Sequence, residues 1–175
     1  MATLTAKTTA GSVAGYIRQP GEPLSAATDR LRNWTKVGII QSEGEKHPGT
    51  GRAKQYSSAA ILEAVLLQAF SNALGSPAVL LSPHVKQISK MVQQGILSDA
   101  SVVVISGPPD VPDLRLGDVK LKNLGRYMSK HPGEVHIVLN LFQIFKRLPY
   151  DPIDAFPGLK DAVAKRKRMT RKART

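Results

Sequence analysis

The chain has 175 residues, 42% of them hydrophobic, enough to bury a core as one domain or as two small ones. The absence of cysteine excludes disulfides, thiolate metal ligands and a cysteine nucleophile. Twenty-five Lys and Arg against 13 Asp and Glu give a formal charge of +12, a field that attracts polyanions such as nucleic acid or an acidic membrane face.

Residues 1–11 are small and polar, offer little apolar area to offset chain ordering, and are expected to be disordered. They contain no apolar run of signal-peptide length, and no segment approaches the roughly 20 apolar residues that cross a bilayer. The expectation is a soluble cytoplasmic protein with no membrane partner.

Ser12 is placed to cap a short helix carrying Val13, Tyr16 and Ile17, which Gly15 weakens and Gln19-Pro-Gly-Glu-Pro23 stops in a turn. A second helix from Ser25 to Val37 follows, with Ala27, Leu31 and Trp34 as its inward stripe and Gly38 at the left-handed cap position. Thr28, Asp29, Arg32, Asn33 and Lys36 lie outward or at its margins. Ile39 and Ile40 begin an extended segment, and a polar stretch from Gln41 to Arg52 separates it from Ala53-Lys-Gln-Tyr56. Two short strands around a Gly-containing tip, His47 to Arg52, give the outline of a wing.

Ser57 or Ser58 caps a strongly apolar helix ending near Gly75, wide enough in its hydrophobic face to be the central core helix. Ser82-Pro83 reads as the cap and first residue of another helix, through Val85, Ile88 and Val92 to Gly95. A second unit begins near Leu97. In it, 101–105 is a buried strand, 107–113 a stiff Pro-rich loop, 119–128 a helix, and 134–148 a strand that gives way to a helix near Asn140. The final stretch holds Lys165, Arg166, Lys167, Arg168, Arg171, Lys172 and Arg174 with no acid, a self-repelling block expected to be a disordered, phosphate-binding arm.

A DNA major groove accepts a helix, and Ser25–Val37 has the needed construction: an apolar face to seat it and polar residues to meet base edges or phosphates. Gly49 and Gly51 allow close backbone approach at the wing, where Arg52 and Lys54 supply cations. Tyr56 at the wing base joins packing to binding, while Trp34 is chiefly an anchor in the core. The four histidines have no metal-site spacing. Asp110 or Asp113 with Asp118-Val-Lys120 superficially resembles a nuclease metal motif, but the intervening segment is too short for the usual pair of strands. No enzyme, cofactor or metal is expected.

The segments Arg30-Leu-Arg-Asn-Trp-Thr-Lys-Val-Gly-Ile-Ile40 and Ala53-Lys-Gln-Tyr-Ser-Ser-Ala-Ala-Ile61 resemble the MerR-type winged-helix regulators. Leu31-Arg32 matches that family's Leu-Arg pair, Trp34 replaces its second aromatic, and Gly38-Ile39-Ile40 matches its Gly-Leu-Leu turn. Lys54 replaces its wing Arg, and Tyr56-Ser57 matches its Tyr-Ser. Asn33 and Thr35 stand where the family has Tyr and Glu.

The resemblance covers residues 12–96, most closely 30–75, and implies a winged helix-turn-helix there; with the small αβ dimerisation or partner domain read over 97–164 and the basic tail over 165–175, an α+β chain is expected. It also implies a homodimer that binds double-stranded DNA and regulates transcription, with RNA polymerase as a further partner. An excisionase-like accessory factor that bends DNA beside a recombinase is the alternative use of the same fold, and an RNA-associated structural protein is the alternative from another class.

Overall fold

The computed structural model describes residues 8–43, 54–75, 77–97, 101–107, 115–120, 123–130, 132 and 135–172; for 101, 105–107, 115–120, 135–137, 139 and 165–172 the description is of the backbone. Helices and antiparallel strands segregate along this chain into two units. The first runs to Ser89 and recovers Arg147–Asp151; the second comprises Lys90–Lys146 and the chain from Pro152. The first boundary falls inside a helix.

The first unit begins with β1 (Thr8–Thr9) and α1 (Ala10–Ile17), so part of the segment expected to be disordered is a strand followed by helix. β1 is held by β2 (Gln55–Tyr56), which pairs antiparallel with it, Thr8 opposite Tyr56 and Thr9 opposite Gln55. Thr9, in place of Ser12, takes the cap position of α1. Val13, Ala14 and Ile17 are its buried face, and Gly15 lies on the exposed side, where the lack of a side chain leaves no hole in the core.

Gln19-Pro20-Gly21-Glu22 then reverses the chain. The Glu22 N–H donates to the Gln19 carbonyl at 3.1 Å, and Gly21 takes φ 78°, as the third residue of a type II turn requires. The Glu22 carboxylate accepts from the Gln19 N–H at 3.0 Å and pairs with both terminal nitrogens of Arg30, one of them at 2.8 Å. The same Arg30 donates to the Ile17 carbonyl at 3.2 Å. Arg30 thereby ties the end of α1, the turn and α2 (Leu24–Lys36) together.

This tie carries a pH signature. Hydrogen bonds from Arg30, then from the Gln19 backbone, hold the Glu22 carboxyl down from 4.5 to about 2. A depressed acid stabilises the fold above its unfolded value and loses that contribution as pH falls through its folded value. Glu22→Gln is therefore expected to lower the melting temperature at pH 7, with the gap to the parent closing between about pH 4.5 and 2. A gap of constant size across that range would assign the loss to packing and not to charge.

α2 ends in a Schellman cap. Gly38 has φ 78°, the Ile39 N–H donates to the Trp34 carbonyl at 2.9 Å, and the Gly38 N–H to that of Thr35 at 3.2 Å. Ile39 and Ile40 were expected to start a strand. Their amides instead turn back to Trp34, that of Ile40 at 3.3 Å, and both side chains are buried. The first strand of the expected wing is correspondingly short: Glu43 pairs with Gln55, its N–H donating to the Gln55 carbonyl at 2.7 Å. Residues 44–53, which include the expected wing tip His47 to Arg52, lie outside the described residues.

α3 (Ser58–Leu74) is the core helix, with Ile61, Leu62, Val65, Leu66, Leu67 and Phe70 all buried. Ser57 caps it by accepting from the Ala60 N–H at 3.2 Å, and Gly75 closes it at φ 62°. Asn72 Oδ1 accepts from buried Gln68 at 2.6 Å and from Gln19 at 2.8 Å, joining α3 to the α1–α2 turn. Glu63 is partly buried, and desolvation pushes its carboxyl up against the opposing pull of Lys86 and Ser89.

α4 (Ala78–Gln93) starts before Pro83 and not at it. A proline in the second turn forfeits one backbone hydrogen bond, and the turn that precedes it is already formed, with Leu80 N–H on the Pro77 carbonyl at 3.1 Å. Gly95, at φ 69°, ends α4 in the same type of cap as Gly38, with the Ile96 N–H on the Met91 carbonyl at 2.9 Å.

In the second unit β3 (Ser101–Gly107) is the central strand of a three-stranded antiparallel sheet, flanked by β4 (Arg115–Lys120) and β5 (Val135–Asn140). Val102, Val103 and Val104 are buried, and Leu124 and Tyr127 of α5 (Leu124–Ser129) pack on Val102 and Val104. The helix expected from Val119 starts later, because Val119 is paired with Val102 in the sheet. The strand-to-helix change at Asn140 is present: its side chain accepts from the Phe142 N–H at 3.0 Å and starts α6 (Leu141–Phe145). α7 (Pro152–Ala155) and α8 (Pro157–Lys172) follow.

α8 replaces the expected disordered arm through Lys172. Its N-terminal half is seated by buried Leu159 and half-buried Ala162 and Val163, which offsets the cost of nucleating a helix. Each further Lys or Arg then extends it at little propensity cost, with cations favoured near a helix C-terminus.

Candidate nucleic-acid interface

Along α2 the buried residues Ala27, Leu31 and Trp34 occupy one face. Ser25, Asp29, Arg32 and Lys36, spaced four, three and four apart, form an exposed stripe roughly opposite, with exposed Asn33 beside it. Thr28 is at the margin, half-buried, its hydroxyl donating back to the Leu24 carbonyl at 2.8 Å. The sequence-predicted helix residues are thus brought together on one surface, except that the Thr28 hydroxyl proton is used within the helix.

Arg32 reaches Asp29 at 3.3 Å, with 66% and 73% of the two side chains exposed. A pair this open contributes little to stability and is readily exchanged for another anion. Arg32 is therefore available to a phosphate or a base edge. Asp29 beside it repels phosphate and suits a donor such as a cytosine amino group.

Lys54 is exposed and directly precedes Gln55, the residue at which β1, β2 and Glu43 meet. Arg52 lies outside the described residues, as does Arg174; Lys165, Arg166, Lys167, Arg168, Arg171 and Lys172 lie on α8, described there by backbone alone.

Tyr56 differs from expectation. It is completely buried, and its hydroxyl lies 3.0 Å from Thr35 Oγ1. The Thr35 proton is directed to the Leu31 carbonyl at 2.8 Å, so the Tyr56 hydroxyl is the donor in the pair. With no exposed surface Tyr56 cannot touch a phosphate; it pins β2, which Lys54 directly precedes, to the helix that carries Arg32. Trp34, 5% exposed, is a core residue, with the Arg30 guanidinium 5.9 Å from its ring centroid.

Sequence reasoning missed three of the residues that position this surface. Glu22 and Arg30 are eight apart and meet only because the turn folds α2 back on α1. Thr35 was visible only as a departure from the family's Glu. The Pro20-Gly21 pair was the available signal for the turn, and a Glu immediately after it was the available signal for a partner.

Of the nuclease-like pattern, Asp118 and Lys120 stand on β4 opposite Val103 and Ser101, while Asp110 and Asp113 lie outside the described residues. Among the described residues no group of His, Asp and Glu is arranged to hold a metal ion, and no helix is long and apolar enough to cross a membrane. No family model matches the chain, and no curated protein matches it significantly.

Proposed function

We propose that the chain binds double-stranded DNA as a homodimer and regulates transcription, with α2 entering the major groove and Lys54 meeting the backbone beside it. One observation carries the reading: the exposed Ser25–Asp29–Arg32–Lys36 stripe stands on a helix whose other face is locked into a core. A groove-reading helix needs both properties. The order of elements supports it further, since two helices joined by a turn are followed by the paired Glu43 and Gln55 and then by the core helix. That order fits the winged helix-turn-helix implied by the sequence resemblance, and the charge of +12 favours a polyanion.

In this mechanism Arg32 exchanges Asp29 for a guanine edge or a phosphate, Asn33 and Lys36 contact the groove margin, and Tyr56 with Thr35 fixes the angle between helix and strand. Selection from random duplexes tests it: a pseudo-palindromic site is expected, its half-site spacing reporting the dimer geometry. Arg32→Ala is expected to cost about 1–3 kcal/mol of site affinity if it reads a base. Lys54→Ala is expected to weaken all duplexes alike and to flatten the salt dependence by about 0.9 in slope. Both are exposed, so melting should be unchanged to within about 0.5 kcal/mol. Selection that enriches no sequence overturns the regulator reading.

A further inference from the structure

We infer that α8 is a second DNA-contacting element, a preformed cationic helix that lies along the phosphate backbone and adds affinity without reading sequence. The choice of duplex DNA as its occupant rests on the function proposed above. The physical case rests on α8 itself.

Of the 16 residues of α8, seven are Lys or Arg and one, Asp161, is acidic. Its orientation is fixed by its first half. Leu159 is buried and Ala162 and Val163 are half-buried, whereas Lys160, Asp161 and Ala164 are exposed. By the roughly 3.6-residue repeat of the backbone, positions 167, 168 and 171 share the side of the helix that carries Lys160 and Ala164, with positions 165 and 172 at its flank; five of these terminal positions, 165, 167, 168, 171 and 172, are Lys or Arg. A single cationic face therefore extends from the seated half into the terminal turns.

The helix is also held at its base. A side-chain carbon on Gly158 would fall on the Gln93 carbonyl and 2.9 Å from the Gln94 carbonyl carbon; one on Gly95 would fall on the Gly158 carbonyl. The two glycines let α8 approach the end of α4 with backbone against backbone. A cationic face on an anchored helix meets phosphates without first paying the ordering entropy of a flexible arm. Lys and Arg on such a face contact phosphate oxygens, which fix position and carry no sequence information.

Two full-length variants test this. Lys167→Gln, Arg168→Gln and Arg171→Gln together are expected to weaken binding to every duplex alike and to flatten the slope of log K against log salt by about 2 to 3 units, at roughly 0.9 per contact. Site preference should be unchanged. Ala164→Pro keeps every charge and interrupts the helix beyond its seat; it is expected to lower affinity at least several-fold together with a loss of helical circular dichroism. Affinity equal to the parent in Ala164→Pro overturns the preformed helix in favour of a disordered arm.

The two readings fail separately. A parent that selects a site while the triple variant keeps the parental slope overturns the role of α8 alone. A parent without sequence preference whose slope still flattens in the triple variant overturns the regulator and retains α8. Duplex RNA of equal length that competes as well as DNA, and only when the three cations are present, overturns the assignment to DNA.

Discussion

Replacing Trp34 with alanine is expected to destabilise the first unit by about 3–5 kcal/mol, the range for removing a buried indole. The side chain is 5% exposed, and its residue serves twice, because its carbonyl also accepts the Ile39 and Ile40 amides that close α2. The cavity would loosen the helix at the turn where Arg32 and Lys36 are presented. Trp34 is the only tryptophan, so urea unfolding should be followed by circular dichroism and not by fluorescence. On the function proposed above, DNA affinity should then fall in proportion to the folded fraction. A transition midpoint equal to the parent would remove Trp34 from the core.

Gly95→Val is expected to be comparably severe in the second unit. Residue 95 has φ 69°, a conformation that opposes a β-branched side chain, and its Cβ would overlap the Gly158 carbonyl and stand 2.9 Å from the Ala162 Cβ. Strain and overlap together are expected to cost on the order of 3 kcal/mol or more. Gly75→Val separates the two effects. Gly75 has φ 62° but nothing within 4 Å of its Cβ position, so strain alone applies, about 1–2 kcal/mol. Equal melting of the two variants would show that the approach of α8 to the end of α4 is not tight.

The elements legible in the sequence were those whose signals are local. Gly38, Gly75 and Gly95 mark helix ends because only left-handed backbone fits there, and Ser57 marks a start because its hydroxyl can satisfy an orphan amide. The inward stripe of α2 followed from its spacing, and the outward stripe from what was left. Asn140 was legible because the period of the apolar residues changes there.

What escaped depended on pairing at long range. β1 is two threonines with no apolar pattern and becomes a strand only because Gln55 and Tyr56 lie beside it. β4, with Arg115, Gly117, Asp118 and Lys120, shows no apolar alternation, and its pairing with β3 decides its conformation. Tyr56 was divided between packing and contact because nothing local reveals where a hydroxyl will find its partner; Thr35 resolves it in favour of packing. The terminal cations looked like a repelling coil because their sequence omits the seat that Leu159, Ala162 and Val163 provide.

Ser58 opens the core helix, and its carbonyl accepts the Tyr150 hydroxyl at 2.6 Å, 92 residues along the chain. Arg147 reaches the Arg18 carbonyl at 3.5 Å from the same returning segment. During synthesis at roughly 5–20 residues per second, α3 would leave the ribosome several seconds before Tyr150 is translated. The first unit is thus closed by a segment translated long after its core helix, and a nascent chain that has not reached Arg147 lacks that clasp. Closure of the unit is therefore coupled to translation through Tyr150.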